Sequence, residues 1–235
     1  MSAIAAEMPE EVEFARAGIL RFAEKEVLTR HQKHSDFFEN PRKLYDENGR
    51  FSADLVALIT EVRMQSAEAG FYGMCVPEAL GGGGLGHLAY YAAWEALFHR
   101  CGPKNWLMLY ALAHWAFGPS KLLEQMSEEA KSAFLPGLMD GSKSMCFGLT
   151  EPNAGSDASM LATKAVKAEK GWRLSGRKIW TTNAPIADFC VIFAKTESGI
   201  TAFMVPTNSD GFKIQRVIRL FGHIGGDEAE ISLDE

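Results

Sequence analysis

The sequence has few cysteines and no long apolar run, and these absences exclude several classes of protein. Its four cysteines lie far apart: Cys75, Cys101, Cys146 and Cys190. With no CxxC pair among them, neither a zinc knuckle nor a disulfide framework is expected, and the thiols should be reduced. The longest apolar stretch, Trp106–Phe117, is interrupted by His114. A membrane-spanning helix needs roughly 20 apolar residues, so this stretch predicts buried protein interior.

Three further absences concern targeting, nucleic acid and metal. Met1–Glu13 holds four glutamates and no apolar core, so no secretory start is expected. The net charge is −6, which offers no basic surface for nucleic acid. The pair His31 and His34 has no carboxylate or cysteine companions for the four ligands of a structural zinc site. We therefore predict a cytoplasmic protein with no membrane span, no metal and no nucleic-acid partner.

The apolar pattern before residue 140 is helical. Helices are predicted to begin near Pro9 and after the N-cap residues Ser52 and Ser127. Three more are predicted between glycine and proline breaks: His87–Cys101, Lys104–Phe117 and Pro119–Gln125.

The pattern after residue 140 is that of short strands joined by turns. The predicted strands are Ala165–Ala168, Trp172–Ser175, Phe189–Ala194, Ile200–Val205, Phe212–Val217 and Ala229–Leu233. Strands that follow one another without intervening helices favour an antiparallel sheet or barrel. The predicted fold class is α+β, with an all-α helical N-terminal domain over residues 1–140 and an antiparallel β-barrel domain over 141–235.

A run of glycines, Gly81–Gly86, formally contains the G-x-G-x-x-G pattern of dinucleotide-binding folds. That fingerprint needs a preceding strand and an acidic residue about 20 positions later. The run instead follows Val76-Pro77-Glu78, and no acidic residue lies between Ala96 and Leu123. We expect a flexible connection between two helices.

Two other segments allow more than one interpretation. In Met145–Asp157, with the sequence MCFGLTEPNAGSD, a strand runs into a proline-containing loop. Such a loop is either an ordinary Asx-rich turn or a backbone surface for the polar edge of a flat ring, such as a flavin pyrimidine. In Gly176–Ala184, with the sequence GRKIWTTNA, the tryptophan is either part of a barrel core or a stacking partner for an aromatic cofactor.

The order of four segments decides between these interpretations. Leu149–Asp157 closely matches the signature of the acyl-CoA dehydrogenase family, and Gly176–Asn183 resembles that family's second flavin-contacting strand. Val76–Gly86 and Gly225–Ile231 resemble two further family segments, in the same order. The chain therefore resembles the first two domains of an FAD-dependent acyl-CoA dehydrogenase.

The resemblance implies a cofactor site and a substrate contact. The residues expected to contact FAD are Phe147, Gly148, Leu149, Thr150, Trp180, Thr181 and Thr182. The backbone of the first strand should bond the flavin pyrimidine edge, with the Thr150 hydroxyl assisting. Trp180 should pack on the isoalloxazine, and Thr182 should hydrogen-bond near N5 or O4. Ser156 matches the serine that contacts the CoA portion of the substrate.

The resemblance also implies a reaction, in which an acyl-CoA thioester loses an α-proton to a carboxylate and a β-hydride to flavin N5 to form the 2,3-enoyl-CoA. The family's catalytic glutamate lies in a C-terminal helical bundle, whereas this sequence ends at Leu233-Asp234-Glu235. We therefore assign no catalytic base in this chain, and we expect Glu151 to support its loop. The chain alone should be inactive, with the base supplied from the C-terminal region.

The resemblance also implies partners and leaves alternatives open. An electron-transfer flavoprotein is the expected electron acceptor, the full-length form should be a homo-oligomer, and fatty-acid β-oxidation is the expected context. A flavin oxidase or monooxygenase of the same fold is one alternative. A non-catalytic FAD-binding fragment is the other.

Overall fold

The structure, a computed structural model, describes residues 8–102, 104–220 and 226–234. These residues form two compact units, one helical and one built on a β-sheet. The predicted fold class, α+β with a helical domain followed by a β domain, is confirmed.

Two segments that precede residue 140 belong to the sheet unit, namely Asn40–Val56 and Ala116–Gly118. Backbone hydrogen bonds account for this placement. The amide of Gly226 donates to the carbonyl of Gly49 at 2.8 Å, and the amide of Met145 donates to that of Phe117 at 2.8 Å. Non-local pairings of this kind leave no trace in the periodicity of the sequence.

The helical unit is assembled mainly from six α-helices. They are α1 Glu10–Phe22, α2 Thr29–Lys33, α3 Ser35–Phe38, α4 Ala53–Glu68, α5 Gly86–Cys101 and α6 Glu128–Met139. A π-helical stretch, Ala23–Leu28, joins α1 to α2. Helix α1 packs on α5 through Val12, Ala89 and Ala92, whose small side chains allow close approach.

The predicted helix starts agree with the structure. Helix α1 follows Pro9, and the hydroxyl of Ser127 accepts from the amide of Ala130 at 3.2 Å at the start of α6. Ser52 precedes α4, and its hydroxyl accepts from the amide of Leu55 at 3.4 Å. Each of these contacts satisfies one of the amides that a helix N-terminus leaves without an intrahelical partner.

The predicted helices Lys104–Phe117 and Pro119–Gln125 are wrong. The structure has short 3-10 turns there, Trp106–Tyr110 and Lys121–Gln125. The amide of Ala113 donates to the carbonyl of Tyr72 at 2.9 Å, and the carbonyl of Ala111 accepts from the Ser66 hydroxyl at 2.5 Å. Because these groups bond to other segments, they are not available for an α-helical ladder.

The glycine run packs closely against an earlier segment of the same unit. A β-carbon at Gly82 would lie 2.2 Å from the carbonyl oxygen of Val76, and one at Gly83 would lie 2.7 Å from that of Met74. The amide of Gly84 also donates to the carbonyl of Val76 at 2.9 Å. The glycines are therefore required by close backbone contact, rather than by the flexible connection expected from the sequence.

The sheet unit is a mixed sheet that curls into a half-barrel. Its strands are β1 Met145–Gly148, β2 Lys164–Lys167, β3 Trp172–Thr182, β4 Phe189–Thr196, β5 Gly199–Pro206, β6 Phe212–Val217 and β7 Glu228–Asp234. The order is β1-β4-β2-β3-β7-β6, with β5 also paired to β4. Strands β1 and β2 run parallel to β4, so the sheet is not wholly antiparallel. The remaining pairs are antiparallel, as expected.

The core of the sheet unit lies along the buried faces of β1, β4 and β7. It includes Cys146, Cys190, Ile192, Ile231 and Leu233. The two cysteines are directly opposite each other in the β1–β4 pair, and both thiols are free.

Within the described residues, no helix has the length and apolar character that crossing a bilayer requires.

Candidate functional site

The two segments that allowed alternative interpretations meet in the structure. The amide of Ile179 in β3 donates to the carbonyl of Thr150, just beyond β1, at 2.9 Å. The ammonium group of Lys178 donates to the carbonyl of Leu149 at 3.1 Å. The C-terminal end of β1 and the C-terminal half of β3 are therefore held side by side, and the candidate site lies at this junction.

Trp180 stands at the junction on a strained backbone. Its φ is 58°, in the left-handed region that non-glycine residues rarely adopt. The β3–β7 pairing shifts register between Lys178 and Thr181, and this bulge turns the indole outward. The indole is 50% exposed. An exposed aromatic side chain on a strained backbone indicates a binding surface rather than a core position.

Asn183 fixes the chain immediately after β3. It also has a left-handed backbone, with φ 71°, which asparagine tolerates better than most residues. Its side-chain amide donates to the carbonyl of Met145 at 2.8 Å, and its backbone amide donates to that of Asp227 at 2.7 Å. Asn183 thus joins the end of β3 to the start of β1.

The two threonines after the tryptophan have different environments. Thr181 is fully buried, and its hydroxyl has no hydrogen-bond partner in the part of the chain that the structure describes. Thr182 is half-buried, and its hydroxyl donates to the carboxylate of Glu228 on the neighbouring strand β7. A threonine hydroxyl has one proton and two lone pairs. While this bond persists, Thr182 can accept a further hydrogen bond but cannot donate one.

Beneath the loop after β1 lies a buried ion pair. The ammonium group of Lys178, fully buried, donates to the Glu151 carboxylate at 2.8 Å. That carboxylate also accepts from the amide of Ala162 at 2.6 Å and from the amide and hydroxyl of Thr163 at 2.9 and 2.5 Å. Glu151 therefore supports its loop, as expected from the sequence.

The network shifts the pKa values of both members. Burial alone would raise the pKa of Glu151, but the hydrogen bonds from Lys178, Thr163 and Ala162 outweigh it and lower the pKa to about 2. Burial lowers the pKa of Lys178, and Glu151 opposes that shift. A carboxylate with this many donors remains ionised at neutral pH and does not act as a proton acceptor.

The remaining predicted residues lie along β1 and its loop. The ring of Phe147 packs 5.0 Å from that of Phe193, so only its backbone can serve a ligand on the opposite side. Gly148 is buried, and a β-carbon there would lie 2.8 Å from the Ile192 side chain. Leu149 and Thr150 are half-buried. Ser156 is exposed on the loop.

Sequence reasoning missed the role of three residues, Lys178, Thr163 and Glu228. A signal for Lys178 was present, because it shares an alternating strand face with Leu174 and Gly176 and is the charged residue on that face. Thr163 and Glu228 carry no such local signal, since their partners lie 12 and 46 positions away along the chain.

His31, the first member of the histidine pair, makes an ordinary packing contact. The ring of His31 stacks 4.4 Å from that of Phe38, and burial lowers its pKa. Among the residues that the structure describes, no cluster of three or more histidine, cysteine or carboxylate side chains could hold a metal ion.

The junction can hold a flat aromatic ring with a polar edge. In the described part of the chain the amide of Thr150 donates to no protein group, while its flanking carbonyls are both held by β3. An available amide beside a half-exposed indole offers a donor for a ring edge and a surface for a ring face. These features fit an isoalloxazine ring.

Comparisons with known proteins match both parts of this chain to one family. Residues 9–142 match the family model "Acyl-CoA dehydrogenase, N-terminal domain", and residues 146–235 match "Acyl-CoA dehydrogenase, middle domain".

Gly225, the first residue of the fourth resembling segment, lies outside the described residues.

Two curated relatives and one solved structure illustrate the similarity. A probable acyl-CoA dehydrogenase of Bacillus subtilis is 32% identical over 97% of this chain and 56% of its own length. Subunit CarC of the caffeyl-CoA reductase-Etf complex of Acetobacterium woodii is 32% identical over 91% of this chain and 52% of its own. A glutaryl-CoA dehydrogenase of Mycobacterium smegmatis in complex with FADH2 is 26% identical, with a TM-score of 0.70 over 97% of this chain and 53% of its own. The chain spans about half the length of the relatives that it matches.

Proposed function

We propose that this chain, which belongs to the acyl-CoA dehydrogenase family, forms the part of such an enzyme that contacts FAD. The reaction would be α,β-dehydrogenation of an acyl-CoA thioester to the 2,3-enoyl-CoA. The catalytic base would come from outside these residues, because the family's catalytic glutamate lies in the C-terminal bundle and Glu151 is paired with Lys178.

The observation that carries the proposal is the meeting of the Thr150 loop with the Trp180 strand. The amide of Thr150 would bond the pyrimidine edge of FAD, and the indole of Trp180 would cover the ring face. Bound FAD supplies a hydride acceptor at N5. The chain's own residues hold the ring, exclude water from its face and place the substrate's β-carbon near it.

The Thr182 hydroxyl would lie near N5 or O4; because it donates to Glu228, it could there only accept a hydrogen bond, as from the N–H at N5 of the reduced ring. Ser156, exposed on the loop, would contact the CoA portion of the substrate. Gly148 and Thr181 are buried, so their contribution to FAD binding would be to set the backbone on which Leu149, Thr150 and Trp180 are displayed.

The proposed partners follow from the family rather than from the geometry. The name of the relative from Acetobacterium woodii places it in a complex with an electron-transfer flavoprotein, which supports a protein of that class as the electron acceptor here. We also propose that the full-length protein is a homo-oligomer and that it is cytoplasmic.

The experiment is an absorbance spectrum of the purified 235-residue chain after incubation with excess FAD and gel filtration. Retained flavin absorbance that is lost in the Trp180→Ala variant would support the proposal. Trp172→Ala is the matched control, because Trp172 lies in the same strand but packs 5.3 Å from Phe203. Absence of retained flavin from the wild-type chain would contradict the proposal that these residues hold the cofactor unaided.

The two alternatives give different results in one further step. Anaerobic photoreduction of the FAD-loaded chain, followed by admission of air, measures the rate at which the reduced flavin reacts with oxygen. Rapid reoxidation would favour the oxidase or monooxygenase alternative over a dehydrogenase. A protein that only binds FAD would show no change in the flavin spectrum on addition of an acyl-CoA even when the C-terminal region is present, whereas a dehydrogenase would then be bleached.

A further inference from the structure

The peptide unit between Leu149 and Thr150 is held from one side by a buried charge. Its carbonyl oxygen accepts from the Lys178 ammonium at 3.1 Å. In a planar trans peptide the carbonyl and the following amide point in opposite directions. The contact with Lys178 therefore directs the amide of Thr150 away from the ion pair.

The next peptide unit is held in the same way. The carbonyl of Thr150 accepts from the amide of Ile179 at 2.9 Å, and the amide of Glu151 donates to the carbonyl of Ala154 at 2.8 Å. Both peptide planes that flank Thr150 are thus fixed by hydrogen bonds. The amide of Thr150 is the group in these two planes that lacks a partner among the described residues.

Lys178 is itself kept in place by a buried carboxylate. Its ammonium group bonds the Glu151 carboxylate, which is anchored in turn by Ala162 and Thr163. A buried charge is costly unless it is paired and hydrogen-bonded, and replacing such a pair by apolar residues is often neutral or stabilising. Fold stability alone therefore gives a weak reason for a lysine at this position.

From these contacts we infer that Lys178, held by Glu151, is a positioning residue for the flavin: it orients the Leu149–Thr150 peptide so that the amide of Thr150 faces the ring edge. The inference rests on the proposed function of the junction. The ammonium group also polarises this peptide, which strengthens its amide as a donor. Reduction places negative charge on the flavin ring, so a stronger donor favours the reduced form.

The first variant is Lys178→Met, which keeps the length of the side chain but removes the donor to Leu149. FAD binding should weaken by about tenfold or more, the size expected for loss of a charge-assisted hydrogen bond. The midpoint potential of the retained flavin should become more negative. Lys167→Met, an exposed lysine in the neighbouring strand β2, is the control and should bind FAD as the wild-type chain does.

A charge-balanced double variant separates positioning from stability. Lys178→Met alone leaves the Glu151 carboxylate without its cation, so it should unfold more readily than the wild-type chain. Lys178→Met combined with Glu151→Gln removes both charges and retains one side-chain oxygen, which can still accept from the amide and hydroxyl of Thr163. Its resistance to urea should recover, whereas FAD binding should remain weakened, because Leu149 still lacks its donor.

The outcomes separate the two proposals. If the wild-type chain retains no FAD, the proposed function of the junction is contradicted, and this inference with it. If the wild-type chain binds FAD but Lys178→Met binds it equally well with the same potential, the inference alone is overturned. It is also overturned if FAD affinity recovers together with stability in the double variant. The amide resonance of Thr150 in the FAD-free chain should shift in Lys178→Met and not in Lys167→Met, and an unchanged resonance would overturn the inference as well.

Discussion

At the scale of single residues, the left-handed backbone of Trp180 gives a test that separates binding from folding. A left-handed conformation costs a non-glycine residue about 1 kcal/mol or more, and glycine avoids that cost. We expect Trp180→Gly to unfold at a higher urea concentration than Trp180→Ala, although both should lose FAD.

The matched control for that comparison is Trp172, at the opposite end of β3. Its side chain packs against Phe203, and its backbone is not among those with positive φ. Trp172→Gly should therefore unfold at a lower urea concentration than Trp172→Ala, the reverse of the order at position 180. The same order at both positions would contradict backbone strain at Trp180.

The pKa of the Glu151 carboxylate leads to a second prediction at this scale, which concerns how the free energy of unfolding falls in acid. Its pKa is about 2 in the folded chain against an ordinary 4.5. Below pH 4.5 the unfolded chain binds this proton while the folded chain does not, so the stability that Glu151 contributes is present above pH 4.5 and is lost as the pH falls towards 2. The loss should be on the order of 3 kcal/mol.

Urea unfolding followed by tryptophan fluorescence between pH 5 and about 3 measures this slope. Glu151→Gln should be less stable than the wild-type chain at pH 5, but its stability should fall less steeply with acid. Glu169→Gln, in the exposed turn between β2 and β3, should leave the wild-type slope unchanged. Parallel slopes for the wild type and Glu151→Gln would refute a strongly depressed pKa.

At the scale of elements, the glycine run shows what composition could and could not reveal. The sequence argues against a dinucleotide fingerprint, because the acidic residue and the preceding strand are missing. It could not show that Gly82 contacts the backbone of Val76, since that contact depends on tertiary packing. The helices predicted over Lys104–Phe117 and Pro119–Gln125 failed for the same reason.

The glycine contacts predict a graded effect of substitution. Gly81 has a positive φ of 84° but open space for a β-carbon, so Gly81→Ala should cost about 1 kcal/mol. Gly82→Ala forces a β-carbon against a backbone carbonyl, which side-chain movement cannot relieve. It should cost more than Gly81→Ala, in the range of about 1–3 kcal/mol expected for overpacking. Circular dichroism during urea unfolding measures both, and equal costs would argue against the close contact.

The parts of the candidate site that lie in continuous segments could be predicted from the sequence. The contacts between residues on distant strands could not. The sequence predicts both the strand-to-loop segment around Thr150 and the strand that carries Trp180. The two segments meet through Ile179 and Lys178. This contact depends on the topology of the sheet, because β1 and β3 are not neighbours in the strand order. The roles of residues 147–150 and 180–182 follow from the family resemblance. Without it, an ordinary turn and a core tryptophan are adequate explanations of the two segments.

At the scale of the whole molecule, the fold class could be predicted because helical and alternating patterns are separated along the chain. The mixed character of the sheet could not, because parallel pairing of β1 with β4 requires a connection that passes through two other strands. Likewise, Asn40–Val56 joins the sheet unit by backbone contacts with Gly226 that no local pattern indicates.

The last prediction concerns the activity of this chain by itself. Thioester dehydrogenation needs a base for the α-proton together with the hydride acceptor. The carboxylate of Glu151, in the signature segment, is ionised but accepts four hydrogen bonds, from Lys178, Ala162 and Thr163, so it is not placed to take a proton from a substrate. We therefore expect the FAD-loaded chain to keep its flavin absorbance on anaerobic addition of an acyl-CoA, while dithionite bleaches it. Bleaching by the acyl-CoA would show that these residues contain a functional base. Loss of that bleaching in carboxylate-to-amide variants would then identify it.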